Sequence, residues 1–300
     1  MSDIAIIGAT HRIGIDLGGT KIEAAALGSD GAMAWCRRVP TPHSYPEIIA
    51  AMAGLVHAAE TELDARATVG VGIPGTLSPA TGLVKNANTQ ALIGHPLDLD
   101  LGAALARPIR VENDANCFAL SEASDGAGAG HRCVFGVILG TGCGGGIVID
   151  GHVIAGRNRI AGEWGHTPLP WPQPDEYPLP RCWCGQHGCL ELYLSGPNLA
   201  RSGGAATAHD LVERTDPVAR TALARHTDRL ARGLAVIINV LDPDVIVLGG
   251  GLSNMDHLYT DLPARMARYV FSDVAATPVL RNRHGDSSGV RGAAWLWPPP

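Results

Sequence analysis

The sequence predicts an α/β protein of two similar halves with a cleft between them. Three observations carry this. Apolar strands alternate with helical stretches along most of the chain. The order strand, glycine turn, strand hairpin opens near residue 12 and begins again near residue 133. Three apolar strands also end in glycines, at 18–19, 140–146 and 249–251, which lets backbone amides approach an anion closely.

In order, Arg12 to Lys21 (RIGIDLGGTK) reads as a strand running into a glycine turn. Strands follow at 22–27 and 32–39, joined by Ser29-Asp30-Gly31. Residues 45–64 put Ile48, Ile49, Met52, Leu55 and Val56 on one stripe, so a helix is expected. Val69 to Ile73 is a buried strand stopped by Pro74-Gly75, and 78–94 reads as loop. A helix at 98–106, a strand at 109–111 and a helix at 114–123 complete the first half. Residues 126–130 (GAGAG) have the composition of a hinge. The second half has strands at 133–139, 147–149 and 152–154, helices at 208–215 and 217–241, a strand at 245–248, a helix at 256–270 and a strand at 278–280. The expected domains are 1–120 and 121–285, the second carrying an insertion at 162–191. A closing helix at 286–300 is expected to pack back on the first.

Composition removes several classes of function. A net charge of −6 with no basic run argues against non-specific nucleic-acid binding. No run approaches the roughly 18 apolar residues of a membrane span, and the apolar patch in residues 1–10 is too short for a signal peptide. Seven cysteines, four of them scattered through apolar surroundings, fit a reducing compartment, so a cytoplasmic protein is expected.

The insertion holds Cys182, Cys184 and Cys189, three cysteines within eight residues, among glycines that allow tight turns. Such spacing points to a metal. His166 is the candidate fourth ligand, with His187 as competitor inside the span between Cys184 and Cys189. A closed Cys3His set is a structural zinc site, since no position stays open for water; disulfides are the alternative. Glu163 and Glu191 flank the segment, so the clasp resembles the floor of a polar ligand site. A zinc ribbon for nucleic acid would want basic and aromatic neighbours; Asp175, Glu176 and Glu191 flank this one instead.

The glycine turns suggest a nucleotide held between the halves, with Thr20 and Thr141 adding hydroxyl donors. Residues 140–145 (GTGCGG) formally satisfy a dinucleotide fingerprint, but a hairpin pattern follows where a helix is required. The P-loop pattern is absent too, because Thr20 precedes Lys21. Glu112-Asn113-Asp114-Ala115-Asn116 follows a strand and opens a helix. There Asp114 is either the helix N-cap or a general base facing the cleft, and Asn113 suits a hydroxyl-rich ligand.

These motifs together, with residues 72–75 (GIPG) and 247–251 (VLGGG), resemble the ROK family (repressors, open reading frames and kinases) in order and spacing from about residue 12 to 297. The resemblance implies a duplicated actin-like (ribonuclease H-like) fold of two domains with an interdomain cleft. It implies that Asp114 is the catalytic base, that Asn113, Glu163, His166 and Glu191 bind sugar hydroxyls, and that His166, Cys182, Cys184 and Cys189 bind zinc. Gly18, Gly19, Thr20, Thr141 and Gly142 would hold ATP phosphates, with Gly249, Gly250 and Gly251 beside the adenosine. Asp16 would hold Mg²⁺ through water, or merely end its strand, and Lys21 is expected to be solvated. The family's repressors carry a helix-turn-helix ahead of the kinase-like part; about a dozen residues stand there here, which favours a kinase.

Residues 78–88, 162–171 and 284–297 look like those of bacterial ROK fructokinases, so phosphorylation of the 6-hydroxyl of fructose is the first expectation. Mannose and glucose would be weaker substrates. The family's N-acetylglucosamine kinases share the region 181–191 closely and are the main rival, differing most in the loop after Gly75. Asn88 in that loop is a further candidate sugar contact, or a turn asparagine. A homodimer is expected from the family.

Overall fold

The computed structural model describes residues 8–299, so most of the N-terminal apolar patch lies outside it. The first half contains β1 (Ala9–Leu17), β2 (Lys21–Leu27), β3 (Met33–Pro40), α1 (Tyr45–Leu63) and β4 (Arg66–Ile73). It continues with the short β5 (Thr76–Leu77) and β6 (Val84–Lys85), then α2 (Leu97–Leu105), β7 (Ile109–Asn113) and α3 (Asp114–Ser124). The second half contains β8 (Cys133–Leu139), β9 (Cys143–Ile149), β10 (His152–Val153), α4 (Glu191–Leu194), α5 (Gly196–Ser202), α6 (Ala208–Val212) and α7 (Pro217–Leu241). It closes with β11 (Val245–Gly249), α8 (Asp256–Met266), β12 (Val279–Arg281) and α9 (Ser288–Trp295).

Two five-stranded sheets result, in the orders β3-β2-β1-β4-β7 and β10-β9-β8-β11-β12. In each, the strand that opens the half pairs antiparallel with its hairpin partner and parallel with the next long strand. The duplication expected from sequence is present, strand for strand.

Each sheet buries one face under its own helices. Ile48 and Met52 of α1 and Leu97 and Leu101 of α2 join Ile13, Ile15, Val69 and Val71 in one core. Leu230 and Leu234 of α7 and Leu258 and Leu262 of α8 join Phe135, Val137, Ile246 and Leu248 in another. Between the sheets lie α3 and α9, which pack on each other; α9 rests on β1, β2 and β4, and α3 on β8 and β9. Glycines make this close approach possible. A Cβ at Gly14 or Gly70, partners in the β1–β4 ladder, would collide with the Val290 or Ala293 carbonyl of α9, and one at Gly292 would collide with the Cys117 carbonyl of α3.

Several local expectations need correction. Gly144, Gly145 and Gly146 belong to β9 rather than to a phosphate loop, because Ala115, Ala119 and Trp164 pack where their side chains would stand. The 126–130 stretch is tied to the end of α3. Glu122, buried without exposure, accepts Ala127 N–H at 2.9 Å and Ser288 Oγ–H at 2.9 Å, and its own carbonyl accepts Gly128 N–H at 2.9 Å. The loop 78–94 contains the β5–β6 ladder, and α4 and α5 are additional helices. Among the described residues, no helix is long and apolar enough to cross a membrane.

Candidate active site

The site begins where β7 runs into α3. Asn113 takes the N-cap, its Oδ1 accepting Ala115 N–H at 2.9 Å and Asn116 N–H at 3.3 Å, while Nδ2 donates to the Gly75 carbonyl at 3.1 Å. Asp114 is the first helical residue, with Oδ1 accepting Ala115 N–H at 2.8 Å. Burial above all, then the charges of Asp16 and Glu163, push its carboxyl up to about 7, against the pull of the Ala115 N–H. Asp16, near the end of β1, is pushed to about 6 by burial and then by Glu23. Three acids from three parts of the chain therefore share one field. Space is kept beside Asp16 by Gly289 in the first turn of α9, where a Cβ would lie 3.0 Å from Oδ2.

The opposite wall is the clasp. Trp164 anchors it: the buried indole donates to the Gly144 carbonyl at 2.9 Å and meets Phe135 edge-on at 5.8 Å. Side chains at Gly145, Gly162 or Gly165 would break this seat, and Gly162 has φ +90°. Glu163 and His166 leave on either side of the buried pair Trp164-Gly165, so the position of both follows from that anchor. The chain returns through isolated bridges of Pro168 with Cys189 and of Arg181 with His187, and turns at Gly185 (φ +93°) and Gly188 (φ +72°).

His166, Cys182, Cys184 and Cys189 present their ligand atoms within 4.8 Å of one another. Cys182 Sγ lies 3.7 Å from His166 Nδ1, and Cys184 Sγ 3.5 Å from Cys189 Sγ. With Zn–S bonds of about 2.3 Å, a tetrahedron needs ligand atoms roughly 3.8 Å apart; the donor set fits that ion. No disulfide joins the cysteines. His187 is exposed and outside the group; His166 turns its Nδ1 to the cysteines, which leaves its Nε2 as the ring nitrogen able to face a ligand.

Glu191 starts α4 and joins the clasp to the glycine turn at 140–142. Its Oε2 accepts Cys143 N–H at 3.1 Å and its Oε1 the indole N–H of Trp183 at 2.9 Å; a Cβ at Gly142 would lie 2.8 Å from Oε2. On the far side of that turn lies a pocket of about 510 Å³, lined among others by Gly140, Thr141, Pro197, Gly251, Leu252 and Met255. Of the last glycine run only Gly251 lines it. Gly249 is turned inward, where a Cβ would strike the Phe118 ring, and Gly250 has φ +76° against Leu139 backbone.

At the opposite rim, Gly18 and Gly19 form the β1–β2 turn with Thr20, closed by Gly18 N–H to the Lys21 carbonyl at 3.0 Å. A Cβ at Gly19 would be 3.6 Å from Thr89 Oγ1, so the 86–92 loop borders this turn. Asn88 is exposed in that loop. Lys21 is half exposed, 3.9 Å from Glu23.

Sequence reasoning missed the anchoring of the clasp. Glu176, read in the sequence only as an acidic neighbour of the cysteines, is buried and held by Arg232 at 2.8 Å and Arg229 at 2.8 Å. Burial disfavours its charge, yet the two guanidiniums and the Gln173 N–H outweigh that and hold it down to about 2. Arg229 and Arg232 stand three apart on α7, the spacing of one helix face, but nothing in the sequence names their partner. Glu112 was likewise passed over; its Oε1 accepts Asn113 N–H at 2.9 Å and Asn116 Nδ2–H at 3.1 Å.

Comparison with known proteins agrees with this geometry. The chain is 43% identical over 296 residues to an N-acetyl-D-glucosamine kinase of Salmonella gallinarum, covering 94% of this chain and 98% of that one. Among solved structures, a ROK hexokinase from Thermus thermophilus superposes with a TM-score of 0.84 at 32% identity, covering 95% and 97% of the two chains. A ROK family glucokinase from Streptomyces griseus, solved with glucose and AMPPNP, gives 0.74 at 28% identity, covering 95% and 98%. The ROK family pattern matches residues 12–299. Two sheets of one plan, a buried carboxyl between them and relatives of this likeness identify a sugar kinase, and the chain belongs to the ROK family.

Proposed function

We propose that the protein transfers the γ-phosphoryl group of ATP to the 6-hydroxyl of N-acetylglucosamine. The reaction rests on one observation above others: α3 puts Asp114 into a field shared with Asp16 and Glu163, where its carboxyl titrates at about 7. A base poised near neutral pH can take the hydroxyl proton as the oxygen attacks phosphorus. Asn113 Nδ2 retains a second N–H for a sugar oxygen beyond its bond to Gly75, and Glu163, Glu191 and His166 Nε2 are the further sugar ligands. The Gly18 and Gly140 N–H groups close their own turns, so the amides of Gly19, Thr20, Thr141 and Gly142 are the ones that cradle the phosphates, and the 510 Å³ pocket takes the adenosine against Gly251, Leu252 and Met255. Asp16 is the carboxylate of this chain that would hold Mg²⁺ arriving with ATP, and the ion would neutralise charge on the transferred group. Zinc, if held by His166 and the three cysteines, would fix the His166 tautomer and brace the segment between Glu163 and Glu191.

The choice of sugar follows the relatives. Fructose was the expectation from the loop after Gly75, but the 43% identity to a protein named N-acetyl-D-glucosamine kinase extends over nearly the whole chain and supports the amino sugar instead. A coupled assay of ADP release with N-acetylglucosamine, fructose, mannose and glucose tests this. The highest kcat/KM is expected for N-acetylglucosamine; a preference for fructose would restore the other substrate.

A further inference from the structure

We infer that Arg159 is a positioning residue, a strut across the cleft that sets the distance between the two groups of sugar ligands. The inference rests on the kinase reading for its kinetic consequences, though its geometry stands apart from it. Arg159 lies in the loop between β10 and the clasp, and its Nη1 is 3.6 Å from Oε2 of Glu112 at the end of β7. Glu112 belongs to a strand of the first sheet and Arg159 to the loop that follows the edge strand of the second, so the pair joins the halves directly. Glu112 has its other oxygen on Asn113 N–H and Asn116 Nδ2–H, at the first turn of α3 that bears Asp114. Arg159 stands at the other end on a compact turn. Its N–H reaches the Gly156 carbonyl at 3.2 Å, Ala161 N–H reaches Ala155 at 3.2 Å, and Glu163 N–H reaches Ile160 at 3.2 Å. One ion pair thus connects the base-bearing helix to the loop that delivers Glu163.

Two further observations argue that the pair is more than surface decoration. The Glu112 side chain is only 10% exposed, so its charge lacks most of its water and needs a partner. Arg159 also has φ +56°, a left-handed conformation that a branched or long side chain adopts reluctantly and glycine adopts freely. The sequence keeps an arginine where the backbone favours a glycine, which is understandable if the guanidinium is what the position requires.

That same conformation makes the test clean. Arg159→Gly removes the strut without disturbing the backbone, and Arg159→Lys keeps a cation. Arg159→Gly is expected to fold with a Tm near that of wild type, because relief of the left-handed strain offsets the lost ion pair. It is expected to raise KM for the sugar about tenfold and to leave KM for ATP within about twofold, since misplacing a ligand group by about 1 Å is enough for such losses. Arg159→Lys is expected to recover most of the sugar affinity. Hydrogen exchange read by mass spectrometry on the protein without substrate should show faster exchange at residues 112–116 and 155–163 in Arg159→Gly and not in Arg159→Lys. Wild-type exchange rates at both segments, or equal losses for sugar and ATP, would overturn the strut. If the wild-type protein phosphorylates no sugar, the functional reading falls, while the exchange experiment still decides the strut.

Discussion

Glu191 holds two donors at once, the Cys143 backbone N–H at 3.1 Å and the Trp183 indole N–H at 2.9 Å. Trp183 lies between two of the clustered cysteines and meets the His166 ring edge-on at 4.9 Å, whereas Cys143 follows the Thr141-Gly142 turn. The carboxylate therefore joins the clasp to the 140–142 turn, which in the proposed reaction are the sugar side and the nucleotide side of the cleft. Glu191→Gln tests this with minimal change of shape. An amide oxygen can accept from one donor, but its NH₂ would face the other, so one contact must open. KM for both sugar and ATP should rise, each by about tenfold, the size expected for the loss of one charge-assisted hydrogen bond. An effect confined to the sugar would show that the bond to Cys143 does not serve the phosphate turn.

Asp114 gives a second prediction, with a pH signature. Asp114→Asn keeps the size of the side chain and removes the proton acceptor, so kcat should fall by about 10³ or more while sugar affinity, measured by calorimetry, changes little. In the wild type, kcat/KM should rise with pH through about 7, where the free enzyme's base loses its proton. Stability runs the other way. The folded carboxyl holds its proton to higher pH than the unfolded one, so between about pH 4 and 7 the folded state binds more protons and its stability falls as pH rises, by up to roughly 1.4 kcal/mol per pH unit. Asp114→Asn should flatten that slope. A variant with wild-type turnover would remove Asp114 from the chemistry.

Much of this site can be read from the chain, and the part that cannot has a physical reason. His166, Cys182, Cys184 and Cys189 declare themselves because a metal imposes ligand types and spacing, and the structure brings those four together. Asn113 and Asp114 declare themselves as a polar pair between a strand and a helix, but their division of labour does not. Either could cap α3, and only the bonds from Ala115 and Asn116 to Asn113 Oδ1 leave Asp114 for other work. Glycines mislead for a similar reason. A run such as Gly144 to Gly146 looks the same whether it makes room for a phosphate or for Ala115, Ala119 and Trp164. The Glu176 and Glu112 ion pairs depend on contacts more than 45 residues apart in sequence, where no local pattern exists to find them.

The clasp predicts a graded response to loss of metal. Purified protein is expected to carry about one zinc per chain by atomic absorption, and Cys184→Ser to carry much less. The exposed Cys184 thiol, drawn down to about 7 chiefly by the Gln186 N–H, is already disposed to ligate as thiolate. Without zinc, Glu163, His166 and Glu191 lose their shared support, so sugar affinity should drop by about 100-fold. ATP affinity should drop by about tenfold, through Glu191 alone. Equal losses would mean that the clasp supports the whole half rather than the sugar wall. Full sugar affinity in a zinc-free variant would reduce it to a staple.

The crossing of α3 and α9 can be tested through two glycines of opposite expectation. Gly70 sits in β4 beneath α9, and a Cβ there would strike the Ala293 carbonyl, which belongs to backbone and cannot swing aside. Relief requires α9 to lift from β1 and β4 together, and α9 is packed on α3 at Gly292. Gly70→Ala should therefore destabilise the protein by about 3 kcal/mol, the upper range for overpacking a core, and should also lower kcat because α3 carries Asp114. Gly54 is an exposed position of α1, between buried neighbours, where a Cβ would meet nothing within 4 Å. Gly54→Ala should stabilise by about 0.5–1 kcal/mol through helix propensity alone and leave kinetics unchanged. Urea unfolding at constant m-value measures both. A Gly70→Ala variant as stable and active as wild type would show that α9 yields easily, and that the two sheets are not held at the fixed spacing that this glycine contact implies.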